Sequence, residues 1–243
     1  MIKIKLNELK QDTDRLDEGR TTEERIRAAG LLSKLAKDEA QFFMHFTDIR
    51  ADIRTQFFPG SKFDTPLGIY GYPIKGKNGL GAISNFATER EQMVIFTAQD
   101  FSNVIRSSQY DEDHLGADLD KLAKFHPGQA RDFQRWASDA RKQTPAGQIW
   151  NITRKLAKGD PRKWRTIFAG ELGVTGWIDE NGEGIIHSSE PSQVVFFVPR
   201  ILKTVGVFAN PMKMDRGRLT GLDPDVAVHR PDVAAKENAP KLY

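Results

Sequence analysis

Hydrophobic positions recur along this chain in two rhythms, and the places where one rhythm gives way to the other divide it into elements. Residues 21–43 (TTEERIRAAGLLSKLAKDEAQFF) carry Ile26, Leu31, Leu32, Leu35 and Ala36 as an apolar stripe, with Thr21 and Glu24 at capping-box spacing. That pattern predicts an amphipathic helix that packs on a core. FMHFTDI (43–49) predicts a short strand, a loop with Phe57-Phe58-Pro59-Gly60 follows, and LGIYGYPI (67–74) predicts a second strand. Alternation puts Tyr70 and Tyr72 on one face of that strand and Ile69 and Gly71 on the other. MVIFTA (93–98) is apolar with little interruption, the pattern of a strand buried on both faces.

From Asp100 to Arg165 the rhythm is helical, broken at His126-Pro127-Gly128, at Thr144-Pro145-Ala146-Gly147 and at Gly159-Asp160-Pro161. Strands then return: TGWID (175–179), a turn at Glu180-Asn181-Gly182, GEGIIH (182–187), QVVFFV (193–198) and KTVGVFAN (203–210). The predicted fold class is α+β, a mostly β core with helices at its start and in its middle. The expected divisions are an N-terminal helical segment over 1–43 and a domain over 44–212 with a helical insertion at about 100–170. A flexible tail is expected over 213–243, where the chain is charged, proline-containing and poor in large apolar residues.

At 243 residues and 39% hydrophobic composition the chain is long enough to bury one sizeable core. No apolar stretch approaches the ~18 residues of a membrane span, and MIKIKLNELK alternates charge with apolar residues where a secretory signal would be continuously apolar. A cytoplasmic location is expected, in a host cell's cytoplasm if the protein is delivered there, with no membrane partner. The absence of cysteine excludes disulfides, thiolate catalysis and cysteine-ligated zinc, and the five histidines include no H-x-x-x-H pair, so no metal site is expected. Residues 76–81 (GKNGLG) have neither the order of a phosphate loop nor the dinucleotide fingerprint between strand and helix, which leaves a hairpin loop as their reading.

The net charge of +3 conceals a local concentration: between Arg131 and Arg165 ten Lys/Arg stand against three Asp, interleaved with Trp136, Trp150 and Trp164. Basic residues among aromatics can hold phosphates and stack on bases, which makes 131–165 a candidate surface for a nucleic-acid or protein acceptor. The structural alternative is a set of amphipathic helices with tryptophans in the core and cations in solvent.

Three separated strands carry a further pattern. His45-Phe46-Thr47, Gly68-Ile69-Tyr70 and the late Gln193-Val194-Val195-Phe196-Phe197 resemble, in order and strand context, the His-Tyr-Glu class of the ADP-ribosyltransferase fold, which includes diphtheria-like toxins and poly(ADP-ribose) polymerases. Phe63 in the preceding loop and Phe86 before the buried strand are similar to that class as well. More weakly, the chain resembles ADP-ribosyltransferase-like modules of bacteriophages and mobile elements. The resemblance covers about 44–100 and 174–210 and implies a split β-sheet core that holds NAD as substrate in a cleft.

On the same resemblance, His45 with Thr47 would bind the adenosine ribose, the backbone at Phe46 would pair with the nicotinamide amide, the Tyr70 ring would stack on the nicotinamide, and Phe86 would line the cofactor site. Tyr72 would extend that wall or fill the core, the latter being the usual role of a strand tyrosine. Breaking the nicotinamide–ribose bond builds positive charge on the ribose, so an oriented acceptor near the 2′-hydroxyl stabilises the transition state. Two departures stand out. Phe46 occupies a position where the family usually has glycine, and its side chain is expected on the strand's opposite face. Gln193 stands where the family most often has glutamate; its amide accepts the same hydrogen bond without the charge, and Glu190 in HSSEPSQ is the nearby carboxylate. The implied activity is mono-ADP-ribosyl transfer to a protein or nucleic-acid acceptor. A catalytically silent binding module and an NAD glycohydrolase are the alternatives.

Overall fold

The computed structural model describes residues 41–57, 64–74, 90–180, 184–186 and 193–211, together with part of 23–35. Seven strands form one mixed sheet: β1 (Phe43–Thr47), β2 (Ile69–Pro73), β3 (Gln92–Ala98), β4 (Val104–Arg106), β5 (Gly176–Ile178), β6 (Val194–Phe196) and β7 (Leu202–Ala209), in the order β4-β5-β6-β2-β1-β3-β7. All neighbours are antiparallel except β4 and β5. The chain is thus an α+β protein whose strands come from both ends of the fold, with helices between β4 and β5.

Alternation along the strands sorts side chains between two faces. Phe43, Ile69, Val94, Phe96, Val194 and Phe196 fill one face, where the rings of Phe43, Phe96 and Phe196 meet at centroid distances of 5.3 to 5.9 Å. The other face is covered in two halves. Over β2, β1 and β3, the described residues of 23–35 are helical (α1), and Ala28, Leu32 and Leu35 pack on Met44, Phe46, Tyr72, Met93 and Ile95. The stripe read from the sequence therefore serves as the packing face, although Ile26, Ala36 and the Thr21 cap lie outside the described residues. The buried run at 93–96 likewise meets core on both faces.

The second half is a helical lobe: α2 (Glu112–Phe125), α3 (Phe133–Ser138), α4 (Pro145–Ala157) and α5 (Pro161–Thr166), which runs on into a π-helical turn at Ile167–Leu172. Thr144 and Asp160 accept hydrogen bonds from first-turn backbone N–H groups of α4 and α5, and a proline follows each at the first helical position, where its missing N–H would be unsatisfied anyway. The three breaks read from the sequence fall at the junctions of these helices, the second and third running into the first turns of α4 and α5. The helical run begins later than expected, because Val104–Arg106 add a parallel strand beside β5, and it ends later, at Leu172.

The tryptophans of 131–165 belong to the core of this lobe. Trp150 and Trp164 are buried, their rings 5.1 Å apart, and Trp164 Nε1 donates to Thr153 Oγ1 at 2.9 Å. Trp136 packs against the same cluster. They lie on three helices, so their 14-residue spacing reflects convergence of α3, α4 and α5 and not one helical face. Of the two readings of 131–165 the structural one describes its tryptophans, while Arg131, Arg135, Arg141, Lys142, Lys155, Lys158, Arg162 and Lys163 remain at the surface.

Two contacts clamp the lobe to the strands. Arg165 Nε donates to the Phe197 carbonyl at 2.7 Å with its guanidinium over the Phe57 ring, and Leu67 N–H donates to the Pro161 carbonyl at 2.9 Å. The strand expected over 182–187 is not formed at its described residues, 184–186. Ile185 and Ile186 are both buried outside the sheet, and their N–H groups donate to the Asp179 carboxylate instead of to a neighbouring strand.

Candidate functional site

β1 and β2 pair only at Phe43 with Pro73 and Met44 with Tyr72. Continuing that register would set His45 opposite Gly71 and Phe46 opposite Tyr70, but the backbone ladder stops before them. Gly71 makes the close approach at the paired end: a Cβ there would lie 2.8 Å from the Met44 carbonyl oxygen and 3.0 Å from the Phe96 ring. Just beyond it, His45 Nδ1 lies 2.7 Å from the Tyr70 carbonyl oxygen. A carbonyl only accepts, so Nδ1 carries the proton and Nε2 is the acceptor of the ring. Burial holds the imidazole pKa below 6.5, against the opposing pull of the Tyr70 hydrogen bond and with a smaller push from the Arg90 charge. The neutral tautomer with an acceptor Nε2 is therefore the form present at neutral pH.

The backbone of β1 adds to this. The Phe42 carbonyl accepts from Ile74 N–H at 3.0 Å, so Phe42 directs its backbone groups toward β2, and in a strand every second residue does the same. Phe46 thus turns its N–H and C=O toward β2 where the ladder has ended, that is, into the split. Its side chain lies on the opposite face from Phe43, in the core with Tyr72 at a ring distance of 5.9 Å. Tyr72 is buried there and belongs to the core.

Tyr70 is half-buried, with its ring against the helical-lobe core and its hydroxyl donating to the Pro66 carbonyl at 2.5 Å. Burial pushes its phenol pKa well above the ordinary value, so the hydroxyl stays protonated and donates. Thr47 acts locally. Its Oγ1 donates to Gln56 Oε1 at 3.1 Å and accepts from Ile49 N–H at 3.1 Å, closing the loop after β1. That buried hydroxyl is engaged by the 48–56 loop.

β6 pairs with β2, Tyr70 opposite Val195 and Gly71 opposite Val194. The three motif segments therefore occupy the neighbouring strands β6, β2 and β1. Gln193 is buried at the start of β6, beyond Val194, and its carbonyl accepts from Asp179 N–H at 2.9 Å. By register it continues toward Tyr72 and not toward Tyr70, at the paired end of the split, while His45 makes its hydrogen bond at the open end. Glu190 and Phe86 lie outside the described residues, as do Phe63, His187 and the glycines of 76–81.

Asp179, the last residue of the TGWID segment, is not among the site residues read from the sequence. It is fully buried, and its Oδ2 accepts from Ile185 N–H at 2.7 Å and Ile186 N–H at 3.4 Å, tying the start of β6 to the wall of the helical lobe. The signal that pointed to it was an acid directly after the apolar Gly-Trp-Ile strand, where a solvated turn would not need one. Beside it, Glu180 accepts from Arg106 Nη1 at 2.7 Å and from the Ser108 hydroxyl, joining β4 to the end of β5.

No protein-family model matches the sequence, and no curated protein or solved structure matches it. Among the described residues no group of three His, Asp or Glu side chains is placed to hold a metal ion, and no helix is long and apolar enough to cross a membrane.

Proposed function

We propose that this chain is a mono-ADP-ribosyltransferase, which cleaves the nicotinamide–ribose bond of NAD and transfers ADP-ribose to a macromolecular acceptor. The observation that carries the reading is the split between β1 and β2. His45 bridges it with a protonated Nδ1, Phe46 turns an N–H and a C=O toward it, and the Tyr70 carbonyl stands on its other side, with the Tyr70 ring against the helical lobe. A primary amide needs one acceptor and one donor side by side, which a strand backbone freed from its ladder supplies. A hydroxyl of the adenosine ribose would donate to the acceptor Nε2 of His45.

The departing nicotinamide is already a good leaving group, so positioning and stabilisation of the ribosyl cation carry the chemistry. Gln193 and Glu190 remain the candidates for the acceptor near the 2′-hydroxyl. The exposed cations of 131–165 suit an acceptor held by its phosphates, since the tryptophans among them are in the core. Incubation with labelled NAD and candidate acceptors tests the reading: nicotinamide release with label on the acceptor is expected. No release with any acceptor, together with no NAD binding by calorimetry, overturns it. Free ADP-ribose as the sole product would make the chain a glycohydrolase. The alternative of a silent binding module draws on one feature, the neutral amide of Gln193 where a carboxylate would better stabilise a cation.

A further inference from the structure

A cavity of about 340 Å³ lies in the helical lobe, away from the split: none of His45, Phe46, Tyr70 or Gln193 lines it. Its size is that of a small-molecule site holding roughly one nucleotide, and too small for a polynucleotide duplex. Arg141 and Lys142 stand on its rim, Arg154 and Asp64 form an ion pair in its wall at 2.6 Å, and Trp150 and Ile185 contribute apolar surface.

The rim is rigid. Gly147, in the first turn of α4, approaches the 141–142 segment so closely that a Cβ would lie 2.3 Å from the Lys142 carbonyl oxygen. Gln143 Nε2 donates to the Ser138 and Ala140 carbonyls at 3.0 and 2.8 Å, and Gln148 Nε2 donates to the Gln143 carbonyl at 3.1 Å. This network fixes the loop that carries Arg141 and Lys142. Neither cation forms an ion pair among the described residues, whereas Arg154 is held by Asp64 and by Asn151 Oδ1 at 3.2 Å. Asp139 also lines the cavity, so its side chains sum to one excess positive charge. Two cations carried on an anchored loop beside a concave, partly apolar space, with no ion-pair partner of their own among the described residues, match a phosphate ester on an organic body.

We propose that this cavity binds a nucleotide-sized organic phosphate, with the phosphate on Arg141 and Lys142 and the organic body against Trp150 and Ile185. The site does not rest on ADP-ribosyl transfer; a chain inert toward NAD would still have it. Adenosine 5′-monophosphate (AMP), titrated calorimetrically at low salt, is the probe, with adenosine and inorganic phosphate as controls. AMP is expected to bind at least about tenfold more tightly than adenosine, and Arg141→Ala/Lys142→Ala to weaken it at least about tenfold without lowering the melting temperature, as loss of charge-assisted contacts requires. His45→Ala is expected to leave AMP binding unchanged. Absence of AMP binding to the wild type, unchanged binding in the double variant, or loss in His45→Ala alone would each overturn the site, the last because the phosphate would then occupy the split.

Discussion

His45 Nδ1 and the carbonyl oxygen of Tyr70, 2.7 Å apart, replace a strand ladder with a side-chain bridge where β1 and β2 separate. This hydrogen bond sets the imidazole tautomer and keeps the two strands in contact past their last backbone pair. His45→Asn, which puts an amide N–H near the place of Nδ1, should preserve the bridge and the fold. It should abolish NAD binding by removing the acceptor Nε2. Calorimetry and thermal melting separate the two effects.

The same residue predicts a pH dependence. The unfolded chain takes up its His45 proton at the ordinary 6.5 and the folded chain only at lower pH. Between those two values the unfolded state holds more protons, so the His45 contribution lowers stability as pH falls through 6.5 and levels off below the folded value. Melting curves should show a steeper loss on acidification in the wild type than in His45→Asn. Equal slopes would mean that the imidazole titrates freely.

Gly71 is what the paired end of the split requires. Gly71→Ala would press a methyl group onto the Met44 carbonyl and the Phe96 ring, contacts of 2.8 and 3.0 Å that neither partner can relieve without moving β1 or the core. A loss of about 1–3 kcal/mol is expected, as for overpacked cores, and denaturant unfolding measures it.

Asp179→Ala would leave the N–H groups of Ile185 and Ile186 without their acceptor inside the core. Each such group costs about 1–3 kcal/mol, so a fall of about 2–6 kcal/mol in unfolding free energy is expected. Hydrogen exchange should localise the added opening to 184–186 and the start of β6, next to Gln193. A variant as stable as the wild type would show that the carboxylate is dispensable there.

Gln193→Glu tests the late strand. If a ribosyl cation forms near this residue, a carboxylate should raise nicotinamide release by about tenfold or more, an effect of roughly 1.4 kcal/mol on the barrier. Burying the charge should at the same time lower the melting temperature. Destabilisation without a gain in turnover would favour the silent-module reading.

Local patterns along the chain were enough to identify the α1 packing stripe, strands read at 43–49, 67–74 and 93–98, the Pro- and Gly-containing breaks that separate the helices, and Phe46 turned away from the His45 face. Each follows from side-chain alternation or from turn chemistry within a few residues. Short elements resisted: β4 is three residues long, and Gly184–Ile186 have the composition of a strand but are pulled out of one by a carboxylate.

What the sequence by itself determined was therefore the periodicity of each segment and the identity of the groups it presents: a histidine in β1, tyrosines in β2, a neutral amide before β6. Only the tertiary structure decided that β6, β2 and β1 are neighbours, that β1 and β2 part after two residue pairs, that Thr47 serves its own loop, and that three tryptophans on separate helices converge in one core. Those outcomes depend on contacts between residues tens of positions apart, where register, strand splay and the competition for buried space are set by the whole assembly and leave no periodic trace in any one segment.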